Sequence, residues 1–548
     1  MSCEHHANDD AARRVIRQAL DQTLFVEAGA GTGKTSALVD RFVALVRGGT
    51  EIDRIAAVTF TEKAAAELRE RVRGALEEAQ DEAEVSPRMA AALEALDRAQ
   101  ISTIHSFAQT LLRAFSAQAG VDPDFEVQDP VSTERRMQER WRIYLESLDG
   151  NRAAEEAIDR VLSLGLQTGE IERLASDLAY HPTLAEFLTA NPLEAAEPSW
   201  PDVGRLRAEI ETVAAGAPED DHLTTRLSGL FAVLQALERA DKDERETTIA
   251  AGADVLTSTY KGTASNWGSK DRKEAALEVA NRVSAELNEL LSGLRAAALA
   301  ALLPFVVAFV TREAGARARE GVLTFDDLIV RVRQVFREDE GARQAFRERF
   351  AALLIDEFQD TDPLQMEIAL AFARAGDGSS LEAGRLFLVG DPKQSIYRFR
   401  RADMAMYSRT RDEIEAAGSE FPQLALNRRS RIEILHWVNA VFAPLIGEGA
   451  DPGVQPPYRE VHADREVALT GPGVAWIGGA VDHHARGMRD EEARAIAAQC
   501  RAVISEKWQV QDRERTVSDA SYRDIAVLIP RRILLTALER ELADARVP

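Results

Sequence analysis

The chain has 548 residues, of which 45% are apolar and 29% are charged, so it has enough apolar side chains to form several packed domains. It carries 67 Lys and Arg against 91 Asp and Glu, a formal net charge of −24. This charge excludes a uniformly basic coat for nucleic acid but not a local basic groove. Because Cys3 and Cys500 are the only cysteines, a disulfide framework and a cysteine-rich zinc site are excluded, and a cytoplasmic protein is expected.

The longest apolar run extends from Ala296 to Val310 and contains Pro304. It is shorter than the ~18 residues that a membrane-spanning helix needs. We therefore predict a buried pair of helices here and no association with a membrane.

The N-terminal part alternates between strand and helix patterns. A strand is predicted at Thr23 to Val26, a loop of small residues at Ala28 to Gly33, and a helix at Ser36 to Val46. A second strand at Ile55 to Phe60 and a second helix at Glu62 to Ala79 follow. This alternation favours an α/β fold in which helices cover both faces of a parallel sheet.

The strand pattern fades between about residues 118 and 320, which predicts a mostly helical insertion. It returns at Phe350 to Asp356 and at Arg385 to Gly390, so the first domain is expected to be discontinuous. Further strands are predicted at Gly473 to Gly478 and Ile525 to Ile529. The predicted domains are 1–117 and 321–411 for the two parts of the first α/β domain, 118–320 for the insertion, and 412–548 for an incomplete second α/β domain.

The most specific local signal is Ala28-Gly-Ala-Gly-Thr-Gly-Lys34-Thr35, which matches the phosphate-binding loop G-x-x-x-x-G-K-[ST] except that Ala28 replaces the first glycine. Glycines let backbone N–H groups turn toward phosphate oxygens, and the helix N-terminus adds partial positive charge. Lys34 is expected to reach the β and γ phosphates, and the Thr35 hydroxyl is expected to coordinate Mg²⁺. The residues predicted to hold the nucleotide here are Ala28, Gly29, Ala30, Gly31, Thr32, Gly33, Lys34 and Thr35.

A second signal is the apolar strand that ends in Asp356 and Glu357. Such a strand places carboxylates at the edge of a parallel sheet where ligands bind. Asp356 is predicted to hold Mg²⁺, directly or through water, and Glu357 to orient and deprotonate the attacking water. The alternative interpretation is a solvated acidic turn. The presence of Lys34 and Thr35 in the phosphate-loop motif makes that interpretation less favourable. The two signals together predict a nucleoside triphosphatase without indicating what hydrolysis drives.

Six stretches occur in the order seen in UvrD/Rep-type superfamily-one DNA helicases, and the chain resembles that family. They are Val58-Thr-Phe-Thr-Glu-Lys-Ala-Ala-Ala-Glu-Leu-Arg69, Thr103-Ile-His-Ser-Phe107, Phe325-Asp-Asp-Leu328, Asp356-Glu-Phe-Gln-Asp360, Gly390-Asp-Pro-Lys-Gln-Ser-Ile-Tyr-Arg-Phe-Arg400 and Leu426-Asn-Arg-Arg-Ser430. The stretch from Leu24 to Thr35 looks closest to the nuclease-linked RecB and AddA proteins. Several motifs in order are more specific than any one of them.

The resemblance implies two RecA-like domains with ATP between them and single-stranded DNA across their top. Lys34, Glu357 and Gln394 would then be catalytic together with Arg429, Gln394 sensing the γ-phosphate and Arg429 reaching it from the second domain. Arg428 stands where the family usually has an aromatic that stacks on adenine, and a guanidinium can stack as well.

The family pattern also bears on two further positions that could contact the nucleotide. Arg71 is expected to approach the phosphates, with an exposed helix arginine as an equal alternative. The adenine-reading glutamine of the family has no clear counterpart, since the matching spacing falls near Arg13.

Eight residues are predicted to contact DNA by stacking on bases, by meeting phosphates or by hydrogen bonding to the backbone. Ordinary core packing is the alternative for each aromatic, and a structural role is the alternative for the histidine. The aromatics are Phe60, Tyr397 and Phe399, the cations are Lys63 and Arg400, and the hydrogen-bonding residues are Thr61, Thr103 and His105.

These observations predict an ATP- and Mg²⁺-dependent DNA helicase or translocase acting in repair or recombination, with 3′ to 5′ polarity by analogy with the family. Single-stranded DNA, or a duplex with a single-stranded tail, is the expected partner, and a second helicase–nuclease subunit is a further candidate. The late helicase motifs are absent before Pro548, so this chain is expected to bind ATP with Mg²⁺, to hydrolyse it poorly and not to unwind duplexes by itself. The alternatives are a P-loop kinase of a small metabolite and a nucleotide-switched, non-catalytic DNA-binding scaffold within a helicase–nuclease complex.

Overall fold

The structure is a computed structural model that describes residues 2–82, 85–242, 244–374, 380–447, 455–464, 468–479, 484–512 and 515–548. It separates into a sheet unit, Met1–Thr110 with Arg333–Pro548, and a helical unit, Leu111–Val332. The helices and strands are, in chain order, α1 Ser2–Gln18, β1 Leu24–Ala28, α2 Lys34–Arg47, β2 Ile55–Thr59, α3 Glu62–Gln80, α4 Ser86–Glu94, β3 Gln100–Thr103, α5 Ile104–Ala114, α6 Ser116–Ala119, β4 Glu126–Val127, α7 Pro130–Ser147, α8 Arg152–Ser163, α9 Thr168–Ala179, α10 Pro182–Ala190, α11 Val203–Ala214, α12 His222–Arg239, α13 Arg245–Ala251, α14 Ala253–Thr257, α15 Lys270–Arg319, β5 Val322–Leu323, α16 Phe325–Glu338, α17 Glu340–Arg349, β6 Ala352–Ile355, α18 Pro363–Ala373, β7 Leu386–Gly390, α19 Met404–Ala416, β8 Gln423–Leu424, β9 Leu426–Asn427, α20 Ile432–Ile446, β10 His462–Ala463, α21 Ala485–Ser505, β11 Gln509–Gln511, β12 Val517–Asp519 and α22 Leu535–Asp544.

The sheet unit contains a six-stranded parallel sheet in the order β3-β2-β6-β7-β1-β8. In β1, Leu24 lies opposite Phe387 of β7, and in β2, Ile55 lies opposite Ala352 of β6. β2, β6 and β7 are buried throughout their lengths, as expected where helices cover both faces of a sheet. The predicted α/β fold with a parallel sheet is confirmed.

Parallel strands bring their carboxyl ends to one edge of the sheet, and this edge carries the predicted site. β1 ends at Ala28, β2 at Thr59, β6 at Ile355 and β7 at Gly390. The phosphate loop, Phe60, the acidic pair and the segment from Asp391 onward all follow these ends directly. The topology therefore gathers residues that are hundreds of positions apart in the sequence.

A buried arginine fixes the connection between α1 and β1. Arg41 on α2 is 1% exposed, and its guanidinium donates hydrogen bonds of 2.7–3.3 Å to four backbone carbonyls. Burial lowers the pKa of Arg41 to about 10. The four carbonyls, which lie in and just after the last turn of α1, belong to Ile16, Ala19, Leu20 and Gln22.

The helical unit is built around α15, a single helix of 50 residues that continues through Pro304. The predicted pair of helices at Ala296 to Val310 is therefore wrong. Leu302, Leu303 and Val306 pack in the core of the unit, and their burial offsets the ~3 kcal/mol that an interior proline costs a helix. Among the described residues, α15 is also the one helix whose length and apolar content would suffice to cross a bilayer, and half of its most apolar stretch is buried within the protein.

Two strands predicted in the C-terminal part are wrong. Residues 473–478 and 525–529 have no strand structure, and Trp476 and Leu528 are more than nine-tenths exposed. An apolar, β-prone segment becomes a strand only when a neighbour accepts and donates its backbone hydrogen bonds. Within the described part of this region, the strand pairs are the short ones of β9 with β10 and β11 with β12.

The limits of the helical unit, residues 111 and 332, lie near the predicted insertion limits of 118 and 320. The predicted boundary at residue 411 falls inside the sheet unit. The division of residues 321–548 between two α/β domains therefore stays a prediction.

Replacing Arg41 with methionine should lower the free energy of unfolding by roughly 2–4 kcal/mol, because four carbonyls lose their buried donor. The control is Arg47→Met on the same helix, whose exposed pair with Glu82 should contribute less than about 1 kcal/mol. Urea denaturation followed by circular dichroism measures both changes. Equal losses in the two variants would contradict a special role for Arg41.

Candidate functional site

The loop between β1 and α2 has the backbone conformation of a phosphate cradle. Gly31 and Gly33 have φ angles of 72° and 93°, in the left-handed region where a side chain is strained. A Cβ on Gly31 would also lie only 2.6 Å from the side-chain nitrogen of Asn427. The Thr32 hydroxyl donates a 2.8 Å hydrogen bond to the Gly29 carbonyl, which closes the loop, and Ala28 is the last residue of β1.

Lys34 lies at the centre of the site. Its ammonium is 3.0 Å from Oε2 of Glu357 and donates a 3.1 Å hydrogen bond to Oε1 of Gln394. These three residues come from the ends of β1, β6 and β7. The structure therefore brings together three residues that the sequence predicted to be catalytic.

Thr35 and Asp356 form the predicted magnesium position, with the Thr35 hydroxyl 3.5 Å from Oδ2 of Asp356. Burial, with a smaller contribution from the Glu357 carboxylate, raises the pKa of Asp356 to about 6. The backbone N–H of Glu357 and the Lys34 ammonium act in the opposite direction. A buried carboxylate that is costly to ionise gains from a nearby cation, and hydroxyl and carboxylate oxygens are ligands that Mg²⁺ prefers. The residues present therefore fit this ion.

A small hydrogen-bond network positions the side chains that are predicted to be catalytic. Gln359 donates a 2.9 Å bond to Oε2 of Glu357 and accepts a 2.8 Å bond from the backbone N–H of Asp391. The Asp391 carboxylate in turn accepts a 2.7 Å bond from the Gln394 amide. Glu357 itself has a left-handed backbone, with φ 50°, which is uncommon for a residue with a side chain and is found at functional sites. Gln359 and Asp391 both lie inside the quoted motifs, but the motif pattern alone predicted no role for either residue.

On the other side of the phosphate loop, Asp9 joins two arginines. Its Oδ2 accepts a 2.9 Å bond from Arg13 and a 3.2 Å bond from Arg428, and its side chain is almost fully buried. Arg13 also donates a 2.7 Å bond to the Thr32 carbonyl. Arg13 therefore braces the phosphate loop, and it lies near the position predicted by spacing for the adenine-reading glutamine of the resembled family.

The segment after β9 lies directly against the phosphate loop. Asn427 donates a 2.6 Å bond to the Ala30 carbonyl, and the Arg428 backbone N–H donates a 2.9 Å bond to the Gly31 carbonyl. The Arg429 side chain is exposed, and its β-carbon lies 3.0 Å from where a Cβ on Gly31 would be. Arg429 is thus next to the loop, as expected for a residue that contacts the phosphates.

No described contact connects Arg71 with the site residues around Lys34. It lies on α3 with its guanidinium 4.0 Å from Glu67 of the same helix, and it is exposed. Its predicted approach to the phosphates stays a prediction.

The three predicted DNA-binding aromatics form one cluster. The rings of Phe60 and Tyr397 are 4.7 Å apart, and those of Tyr397 and Phe399 are 5.7 Å apart. The Arg400 guanidinium lies 5.4 Å from the Phe60 ring centre, and Phe399 is 80% exposed. An exposed aromatic with an adjacent cation is the combination that binds single-stranded nucleic acid without regard to sequence.

The hydrogen-bonding candidates already have partners in the protein. The Thr61 hydroxyl caps α3 by accepting a 3.1 Å bond from the Ala64 N–H, and the Thr103 hydroxyl donates a 2.8 Å bond to Glu62. Lys63 is 88% exposed, with its ammonium 4.0 Å from Glu67. His105 is half-buried in the first turn of α5. Their contacts with DNA stay predictions.

Comparison with known proteins agrees with the geometry. The model of the UvrD/REP helicase N-terminal domain matches residues 8–415. The chain is 27% identical to the A subunit of the ATP-dependent helicase/nuclease of Bacillus licheniformis, with 95% of this chain and 47% of that protein aligned. The protein of the same name from Syntrophomonas wolfei is 28% identical over 78% of this chain and 37% of its own length, and that of Lysinibacillus sphaericus is 26% identical over 97% and 49%. The chain thus spans about half the length or less of these curated relatives.

Replacing Asp356 with asparagine should stabilise the protein in the absence of Mg²⁺, and more so at pH 8 than at pH 5. The pKa of Asp356 is raised from 3.8 to about 6 in the folded protein, so the free energy of unfolding falls as the pH rises from about 4 to about 6 and stays lower above that, by roughly 1–3 kcal/mol at pH 8. Thermal unfolding at both pH values, with the exposed Asp97→Asn as control, measures the effect. A gain that does not change with pH would show that the carboxyl is not costly to ionise.

Proposed function

Because the chain belongs to the UvrD/REP helicase family, we propose that it uses ATP hydrolysis to move along single-stranded DNA as a helicase or translocase. The observation that carries this proposal is the contact of Lys34 with both Glu357 and Gln394. These contacts join three distant motifs at the position where a triphosphate would bind. Membership of this family also argues against a kinase of small metabolites.

In the proposed reaction, the backbone N–H groups of the loop and the Lys34 ammonium bind the β and γ phosphates of ATP. Thr35 and Asp356 would hold Mg²⁺, which when bound supplies positive charge against the phosphate oxygens. Glu357 orients a water molecule toward the γ-phosphate and accepts its proton. Arg429 meets the charge that develops on the transferred group, and Arg428 offers its guanidinium face to the base.

A short segment links nucleotide and DNA in this proposal. Gln394 lies at Lys34, and three residues later Tyr397 enters the aromatic cluster with Phe60. A change at the γ-phosphate that moves Gln394 is thereby passed to the surface on which bases stack. This arrangement supports coupling between hydrolysis and movement along a strand.

The wider setting is also proposed. We place the protein in the cytoplasm, in DNA repair or recombination, with 3′ to 5′ movement by analogy with the family. The relatives are named as subunits of helicase/nucleases, which favours a second polypeptide as a partner. DNA with a single-stranded region is the expected substrate.

The replacements Lys34→Ala and Glu357→Gln should separate nucleotide binding from hydrolysis. Lys34→Ala should lose both, because the phosphates lose their cation. Glu357→Gln should keep ATP affinity within about threefold and lower DNA-stimulated turnover by ~10²–10⁴-fold, as expected for a lost general base. A fluorescent ATP analogue and a phosphate-release assay measure the two properties.

The exposed Glu420→Gln is the matched control and should behave as the parent chain. A parent chain whose DNA affinity responds to ATP but which releases no phosphate would favour the nucleotide-switched scaffold instead. Equal turnover in Glu357→Gln and the parent would remove Glu357 from the mechanism.

Replacing Phe399 with alanine should weaken binding of single-stranded DNA by about 5–150-fold, which corresponds to the ~1–3 kcal/mol of one stacked base. Phe60→Ala should act in the same direction. Phe187→Ala, which removes an exposed phenylalanine from the helical unit, is the control. Fluorescence anisotropy with a labelled oligothymidine measures affinity, and unchanged binding in Phe399→Ala would contradict the proposed DNA surface.

A further inference from the structure

A groove between α16, α17, α18 and α19 lies in the sheet unit, apart from the residues proposed to bind nucleotide and DNA. Its cavity has a volume of about 720 Å³, and none of those residues lines it. α18 begins at Pro363, close to the end of β6, and its groove residues extend from Glu367 to Ala371, 4 to 8 positions further along. At 1.5 Å per residue this is roughly 6–12 Å along the helix from its first residue.

The groove is basic, although the whole chain has a net charge of −24. Six arginines line it against three glutamates, contributed by all four helices and the residue after α18. Such a local reversal of charge attracts an anionic partner. The arginines are Arg333, Arg337, Arg343, Arg347, Arg374 and Arg409.

The three glutamates are already used within the lining. Each forms an ion pair with an arginine of the same groove, so the glutamates hold guanidiniums in place and are partly neutralised. The pairs are Arg333 with Glu367 at 3.3 Å, Arg343 with Glu340, and Arg374 with Glu413 at 2.9 Å.

Two arginines of the lining remain available to pair with a bound anion. Arg337 on α16 and Arg409 on α19 are exposed, and neither has an ion pair within the described part of the chain. They lie on different helices, so a bound molecule would meet positive charge on two sides. Arg347, by contrast, pairs with Glu382, which lies outside the lining.

The groove also has apolar and neutral polar surface. Phe336 and Leu370 line it but are almost fully buried. The accessible apolar surface therefore belongs to Ala371 and to Met406, whose thioether chain adapts to different shapes. The Thr410 hydroxyl, 1% exposed, has no hydrogen-bond partner among the described residues. A ligand that fits this lining carries apolar groups together with separated negative charges.

We propose that the groove binds an acidic, amphipathic segment of a partner polypeptide. Carboxylates of that segment pair with Arg337 and Arg409, since the planar guanidinium matches a carboxylate in a two-bond geometry. Its apolar side chains pack on Ala371 and Met406, which are partly exposed in the groove. A nucleic-acid backbone fits less well, because it has no apolar side chains for this part of the groove. The proposal goes beyond the proposed helicase function and does not depend on it.

The test uses a labelled twelve-residue peptide in which aspartate and glutamate alternate with leucine and phenylalanine, and a second peptide with lysine in place of each acid. Fluorescence anisotropy with the whole chain should show binding of the acidic peptide only, weakening as salt is added. The double variant R337E/R409E should bind the acidic peptide at least tenfold more weakly. It should also gain affinity for the lysine peptide, which a loss of folding would not produce.

The double variant R173E/R239E changes two exposed arginines of the helical unit and should bind both peptides as the parent does. Equal loss in the two double variants, or no binding of the acidic peptide by the parent chain, would overturn the proposal. Displacement of the peptide by a blunt DNA duplex, at concentrations below those needed of unlabelled peptide, would assign the groove to nucleic acid instead.

Discussion

The site depends on one buried cation beside two carboxylates. Asp356 and Glu357 are consecutive, and burial together with mutual repulsion makes Asp356 costly to ionise. The Lys34 ammonium, 3.0 Å from Glu357, lowers that cost. Phosphates and a divalent cation would change this balance of charge directly. The same arrangement of charges thus lets the two carboxylates lie together without a ligand and makes the site suitable for a nucleotide.

Hydrogen bonds around Lys34 connect the candidate nucleotide site with the segment that carries the aromatic cluster. Gln359 contacts both Glu357 and Asp391, and Asp391 holds Gln394 at Lys34. The chain then continues directly into the aromatic cluster of Tyr397 and Phe399. No long pathway is needed, because the ends of neighbouring parallel strands place the two surfaces within a few residues of each other. The helical unit has a core cluster of its own around α15, which shares no residue with the core cluster of the sheet.

The departures from the resembled family have structural explanations in this chain. Arg13, near which the spacing of the family's glutamine falls, braces the phosphate loop through the Thr32 carbonyl. Arg428 stands where the family usually has an aromatic, and Asp9 accepts a hydrogen bond from each of the two arginines. The two positions are therefore joined through one buried carboxylate.

The sequence by itself determined the parallel sheet and the phosphate loop and predicted a set of catalytic residues, because these depend on local signals: apolar strands of four to five residues, glycine spacing and motif order. Tertiary structure alone decided which partners each polar group meets. Arg41 bonds carbonyls 19–25 positions away and Asp9 pairs with Arg428, 419 positions away, and neither contact leaves a local pattern in the sequence. It also decided that residues 473–478 and 525–529 form no strands and that α15 continues through Pro304. A strand needs a neighbouring backbone and an interior proline needs compensating burial, and both are supplied only by the folded chain.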